Sequence, residues 1–254
     1  MKRSLKIRNI ELGEGRPKVC VPVTGKTRED ILAEAELARR VKADLIEWRA
    51  DHYQDVSDVQ KTKETLEKLR ICAEDMPILF TYRTEGREDS ISKQEYSALN
   101  EMVIKTKYVD LIDIELFMGD EICERLCAKA HEEGCYAVIS NHDFDGTPND
   151  QTIVERLCKM RELGADVPKM AVMPHNAEDV LTLLSATNQY ANAHADGPLI
   201  TMSMGWLGGV SRISGEIFGS ALTFGSTVRA SAPGQLCVED VKSVLHILRK
   251  PDQE

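Results

Sequence analysis

The stretch "LIEWRAD", residues 45–51, sets two kinds of side chain against each other. In an extended strand successive side chains alternate, so Glu47, Arg49 and Asp51 share one face while Ile46 and Trp48 share the other. A strand of a parallel sheet covered on both sides should be apolar throughout. The apolar face must meet helices, which leaves the charges facing the inside or the rim of a closed sheet.

Seven more short β-prone runs lie on either side: "KVCVPVT" from 18, "PILFTYR" from 77, "LIDIELF" from 111, "YAVISNHDF" from 136, "PKMAVMP" from 168, "PLITMSM" from 198 and "LTFGS" from 222. The intervening segments have helical spacing, as in Ile31, Ala35 and Ala38, or Val180, Leu183 and Leu184, or Val241, Val244, Leu245 and Leu248. Their expected starts are Thr27 with Asp30 three residues on, Asp150 or Thr152 before "IVERL", and the acidic turn "VEDVK". Strand and helix repeating about every 30 residues are the mark of βαβ units. Eight units in 254 residues, with no Pro/Gly/Ser-rich linker to divide them, predict an α/β fold of the (β/α)8 TIM-barrel type rather than an open doubly wound sheet. The chain is read as one domain over 1–254. Residues 18–254 form the barrel, and 1–17, with the turn "GEG", form a hairpin closing its bottom.

With 32 basic against 42 acidic residues the chain carries a net charge of -10, which argues against nucleic acid or an anionic membrane as partner. The seven cysteines include no CxxC pair, so reduced thiols are expected, with neither a disulfide framework nor a zinc site. The N-terminus lacks the apolar core of a secretory signal, and no stretch reaches the ~18 apolar residues of a membrane span. A cytoplasmic location is expected.

Charged or titratable intruders occur on five consecutive strands: Glu47 and Arg49, then Arg83, then Asp113 and Glu115, then His142, then Lys169. A buried ion-pair network would account for some of them, Asp113 in particular. It does not account for the whole set, because buried ion pairs stabilise less than well-packed hydrophobic residues of similar volume. Active sites of such barrels lie at the carboxyl ends of the strands, so the set reads as a catalytic constellation.

Lys169 shares its strand face with Ala171 and Met173 and should project inside the barrel. Desolvation and the nearby Arg49, Arg83 and Arg212 would favour a neutral, nucleophilic amine suited to a Schiff base with a ketone or aldehyde; the competing reading is a plain pairing with Glu47 or Glu115. A carbanion mechanism also needs a proton acceptor near neutrality. Among the six histidines only His142 and His52 end strands, and His142 sits on the strand next to Lys169. Glu85, just beyond "TYR", could orient the His142 ring. Arg212, in the Gly-rich "GGVSRISGE", is suited to gripping a carboxylate, and Ser231 and Gln235 in "SAPGQL" to hydrogen-bonding a polyhydroxylated ligand.

In "EWRADH" 47–52, "SNHDF" 140–144, "VPKMAVMP" 167–174, "SR" 211–212 and "SAPGQ" 231–235, the chain resembles the type I 3-dehydroquinate dehydratases of the shikimate pathway, nearly end to end. The resemblance implies a homodimeric TIM barrel that needs no metal or organic cofactor and acts on a small anionic substrate. It implies that Lys169 forms an imine with the C3 ketone of 3-dehydroquinate, that His142 removes a C2 proton and then protonates the departing C1 hydroxyl in a syn elimination, and that Glu85 supports His142. Arg212 would hold the carboxylate, while Glu47, Arg49, Arg83, Ser231 and Gln235 would bind hydroxyls and close the site. Two features depart from the family pattern. The loop "RTEGRED" is short, which leaves Glu85 matched through Gly86, and Pro22 stands where some members have a serine. The alternatives are another Schiff-base barrel, of the class I aldolase or transaldolase type, with "GWLGG" as a phosphate loop, and a barrel that only binds a ligand.

Overall fold

The structure, a computed structural model, describes residues 4–86, 91–194, 196–227 and 234–249. It opens on a hairpin of β1 (Leu5–Ile7) and β2 (Ile10–Leu12), with Leu5 opposite Leu12 and Ile7 opposite Ile10. Strands and helices then alternate: β3 (Lys18–Val23), α1 (Arg28–Arg40), β4 (Leu45–Arg49), α2 (Val59–Ala73), β5 (Ile78–Thr81), α3 (Lys93–Thr106), β6 (Leu111–Glu115), α4 (Asp120–Glu132) and β7 (Tyr136–Asp143). The chain continues through α5 (Asp150–Glu162), β8 (Val167–Val172), α6 (Ala177–Ala193), β9 (Ile200–Ser203), the short α7 (Gly209–Ile213) and α8 (Gly215–Phe218), β10 (Leu222–Ser226), β11 (Leu236–Cys237) and α9 (Val238–Ile247).

Strands β3 to β9 pair in parallel in sequence order, and β10 joins β3 at the other side. A parallel bridge between Leu199 and Ser220, at the roots of β9 and β10, completes the circle. The eight runs read from the sequence are the eight barrel strands, and β11 is a two-residue addition on the outer end of β10. Thr27 and Asp30 form the expected capping box on α1. The cap of α5 is Asn149, whose side chain accepts from the Thr152 N–H, rather than Asp150 or Thr152. Asn149 in the extended conformation leaves Asp150 free to begin the helix, where its charge faces the positive end of the helix dipole.

Period-two alternation sorts the barrel into storeys. Trp48 and Phe80 turn outward, meet edge to face at 5.5 Å, and pack with the helices in one apolar core. A second core lies inside the lower barrel, where Leu45, Leu79, Leu111, Val138, Val167, Ile200 and Leu222 meet Leu5, Ile7, Ile10 and Leu12 of the hairpin. The hairpin therefore closes the bottom as expected, each of its four buried side chains contributing roughly 1.5–3 kcal/mol. Two residues further along several of the same strands the interior changes character: Leu45 gives way to Glu47, Leu111 to Asp113, Val138 to Ser140 and Val167 to Lys169.

Candidate active site

Lys169 lies at the centre of that polar storey, 3% exposed. Its amine donates to Asp113 Oδ2 at 3.0 Å and to Glu47 Oε1 at 3.3 Å, and stands 5.0 Å above the centre of the Phe224 ring. The sequence reading surrounded this amine with arginines and offered Glu47 or Glu115 as competing partners. Glu47 is a direct contact, as offered, but the second is Asp113 rather than Glu115: the ladder sets Glu115 beside Ser140 and Ser140 beside Lys169, and the tilt of the barrel strands brings Asp113, two residues lower on β6, to the amine. The amine thus begins in an ion pair rather than bare, and a carbonyl must displace a carboxylate contact to reach it.

Asp113 serves three donors. Besides Lys169, it accepts from Arg83 Nη2 at 2.9 Å and Ser140 Oγ at 2.7 Å. Burial alone would push its carboxyl up, but Arg83 and Lys169 outweigh that and hold it below the ordinary carboxylate range. Arg83 donates to Glu115 Oε1 at 2.8 Å as well, so two carboxylates offset its burial and raise its pKa. Glu115 is occupied by Arg83, the Thr84 hydroxyl and the main-chain N–H groups of Thr84 and Glu85. It fastens the loop that carries Glu85.

His142 points inward one step above Ser140, on the strand beside Lys169. Its Nδ1 is 3.0 Å from Glu85 Oε2, and its main-chain N–H donates to the same oxygen at 2.7 Å. The chain after β5 therefore delivers Glu85 to the histidine. Gly86 makes that possible: its φ is +76°, and a Cβ there would come within 2.8 Å of Phe144. Phe144 in turn lies face to face with the His142 ring, 6.0 Å between centres. Burial, then the charges of Arg83, Lys169 and Arg49, push the His142 imidazole well below its ordinary value, and burial pushes Glu85 up to about 7. At neutral pH His142 is an uncharged base. When Glu85 is ionised, Nδ1 donates to it and Nε2 carries the lone pair.

These groups line a cavity of about 260 Å3. Eight of the nine expected site residues reach it: Glu47, Arg49, Arg83, Glu85, His142, Lys169, Arg212 and Gln235; Ser231 falls outside the described residues. Arg49 is bidentate to Asp51, and the Thr81 hydroxyl donates to Glu47. Arg212, on α7, is 2% exposed, and burial lowers its pKa to about 10, so it is still a guanidinium at neutral pH. His52 lies at the rim beside Asp51. Pro22 is in register with Glu47 and has no hydroxyl to offer there.

The apolar wall, Met202, Met204, Phe144 and Phe224, has no place among the expected site residues, nor has Ser140, although "SNHDF" contains both Ser140 and Phe144. Counting two residues onward from Ile200, Leu222 and Val138 would have found Met202, Phe224 and Ser140, since each is the next inward position. Among the described residues no group of three or more His, Cys, Asp or Glu is arranged to hold a metal ion.

A closed parallel barrel with an apolar base and a charged, buried cluster at the carboxyl ends of its strands defines a (β/α)8-barrel enzyme. The family model for type I 3-dehydroquinase matches residues 19–252. The 3-dehydroquinate dehydratase of Clostridioides difficile strain 630 is 50% identical over 252 residues, covering 98% of this chain and 99% of that protein. The Clostridium botulinum protein of the same name is 48% identical over 98% of this chain and 99% of its own. In structure, the type I 3-dehydroquinate dehydratase from Clostridium difficile with covalent modified comenic acid superposes with a TM-score of 0.94, covering 98% of both chains at 50% identity. The Geobacillus kaustophilus 3-dehydroquinate dehydratase superposes with 0.93, covering 97% of this chain and 96% of that one at 39% identity. The chain belongs to the type I 3-dehydroquinase family.

Proposed function

We propose that this chain dehydrates 3-dehydroquinate to 3-dehydroshikimate by a syn elimination through an imine on Lys169. The observation that carries the reading is the pairing, inside one cavity, of the buried Lys169 amine with a neutral His142 on the adjacent strand, held by Glu85. The amine adds to the C3 carbonyl and water leaves, giving a protonated imine that serves as electron sink for the adjacent C–H. His142 Nε2 takes a proton from C2 to give the enamine. The electrons return to expel the C1 hydroxyl, which leaves as water with the proton His142 had taken. A second water, guided by the same histidine, hydrolyses the imine and frees Lys169.

The remaining roles follow from position. Arg212 forks onto the substrate carboxylate; Glu47, Arg49, Arg83 and Gln235 take the hydroxyls, together with Ser231. The crystal structure of the Clostridium difficile relative contains covalent modified comenic acid, which supports covalent chemistry in a member of this family. The proposal includes a single barrel domain, working as a homodimer in the cytoplasm without a cofactor.

The test is to follow enone absorbance on adding 3-dehydroquinate, then to trap with borohydride and map the adduct by mass spectrometry. A stable adduct on the peptide containing Lys169 is expected. A sugar phosphate trapped there in place of dehydroquinate, or an adduct elsewhere, overturns the assignment.

Arg212→Gln is expected to raise KM about 100-fold, since losing one partner of a buried charged contact costs roughly 2–5 kcal/mol. Steady-state kinetics check this. Arg212→Lys should recover only part, because an ammonium lacks the planar fork that matches a carboxylate.

A further inference from the structure

His142 is flanked by two residues that face the other way. Asn141 and Asp143 turn from the barrel interior toward α5, where the same guanidinium nitrogen, Arg156 Nη1, donates to Asn141 Oδ1 at 2.9 Å and to Asp143 Oδ2 at 3.2 Å. Arg156 also stacks over Phe117, 5.5 Å from the ring centre, in the turn that follows β6. A side chain on an outer helix thus grips the strand end on both sides of the proposed base.

The grip has a chemical consequence at Asn141, which is 1% exposed. A carboxamide has one accepting end and one donating end. With Oδ1 committed to the Arg156 cation, Nδ2 must face the other way, and it donates to Glu85 Oε1 at 3.1 Å. Glu85 therefore receives three donors from two consecutive residues of β7: the Asn141 amide, the His142 main-chain N–H and His142 Nδ1. All three favour the ionised carboxylate. We infer that Arg156 is a positioning residue for the His142 and Glu85 pair, acting through Asn141 by fixing which end of its amide meets Glu85. The inference rests on the dehydratase reading only for its kinetic consequence.

Without the cation the amide is free to turn over and present its oxygen to Glu85, which then binds a proton more tightly. A protonated Glu85 donates to His142 Nδ1, moves the ring proton to Nε2 and removes the lone pair that takes the substrate proton. Other groups facing Glu85 are Arg83, 3.8 Å away on the chain after β5, and Glu115 on β6; Lys93 on α3 lines the small cavity behind it. Those facing His142 are Arg83, Lys169 and Arg49. Arg156 touches none of these directly in the hydrogen bonds described, so its removal leaves their charges in place.

The experiment is an NMR titration of the His142 ring in the whole protein, wild type against Arg156→Met, Arg156→Lys and Asn141→Asp, with the pH profile of kcat beside it. In the wild type the pair should release its extra proton near pH 7, the value to which burial raises Glu85. In Arg156→Met that midpoint should move to higher pH, the rising limb of kcat should move with it, and kcat at neutral pH should fall about 10-fold, a part of what a general base supplies. Imine trapping should be unchanged, and Arg156→Lys should return the midpoint most of the way. Asn141→Asp keeps the acceptor for Arg156 but sets a second acid against Glu85, so the midpoint should rise there too; Arg156→Gln, polar and uncharged, carries the same expectation as Arg156→Met and decides the matter if the latter does not fold. An unmoved midpoint in these variants, or a lower kcat with an unchanged profile, overturns the inference. A wild type inactive on dehydroquinate overturns the dehydratase reading alone, because the ring titration needs no substrate.

Discussion

Lys169→Ala yields no enone from 3-dehydroquinate and no borohydride-stable adduct, with turnover down by about 10,000-fold or more, as for loss of a covalent nucleophile. The protein should still fold. The deleted amine leaves Asp113 with Arg83 and Ser140, and Glu47 with the Thr81 hydroxyl, so neither acid is stranded without a donor. Binding should survive as well, since Arg212 and Arg49 lie elsewhere in the cavity. The result is read from the enone rate, the mass of the trapped peptide and a binding titration with 3-dehydroshikimate. Turnover within 100-fold of wild type would mean that the imine is not on the path.

His142→Ala separates the two halves of the mechanism. Loss of a positioned general base costs roughly 100-fold to 10,000-fold, and the enone rate should fall by that amount. The amine of Lys169 is unchanged in this variant, so the adduct should still form and should accumulate, because the step that consumes it is blocked. Mass spectrometry of the unreduced and reduced protein distinguishes this from Lys169→Ala, where no adduct forms at any time. Near-normal enone formation by His142→Ala would remove the histidine from the proton transfer.

The storeys of the barrel explain why so much was legible in the chain. Alternation is a property of the extended backbone, so the clash of Glu47 and Arg49 with Ile46 and Trp48 announced which face was inside before any strand was paired. Lys169, His142 and Arg83 were legible for the same reason: charges are rare on the faces of parallel strands, and each demanded a partner or a role. What could not be read was the tilt of the strands. The ladder sets Glu115 beside Ser140 and Ser140 beside Lys169, yet the amine meets Asp113, two residues lower on β6, and no local pattern reports that slant. Gly86 gave a different kind of signal, since only its positive φ and the closeness of Phe144 show how the chain turns to carry Glu85 to its place. The link from Asn141 to Arg156 joins residues fifteen positions apart on different elements, and neither residue is unusual where it stands.

The hairpin beneath the barrel has a wider consequence. Because Leu5, Ile7, Ile10 and Leu12 complete a hydrocarbon floor under Glu47, Asp113 and Lys169, the charged layer is not what holds the strands together at their base. Cohesion and chemistry are assigned to different floors of one tube. Changes in the floor can drift among residues of similar volume while the reaction stays the same, and the polar layer is free to be tuned for a ligand without the barrel coming apart. Selection can act on durability and on turnover as two nearly independent traits of a single chain.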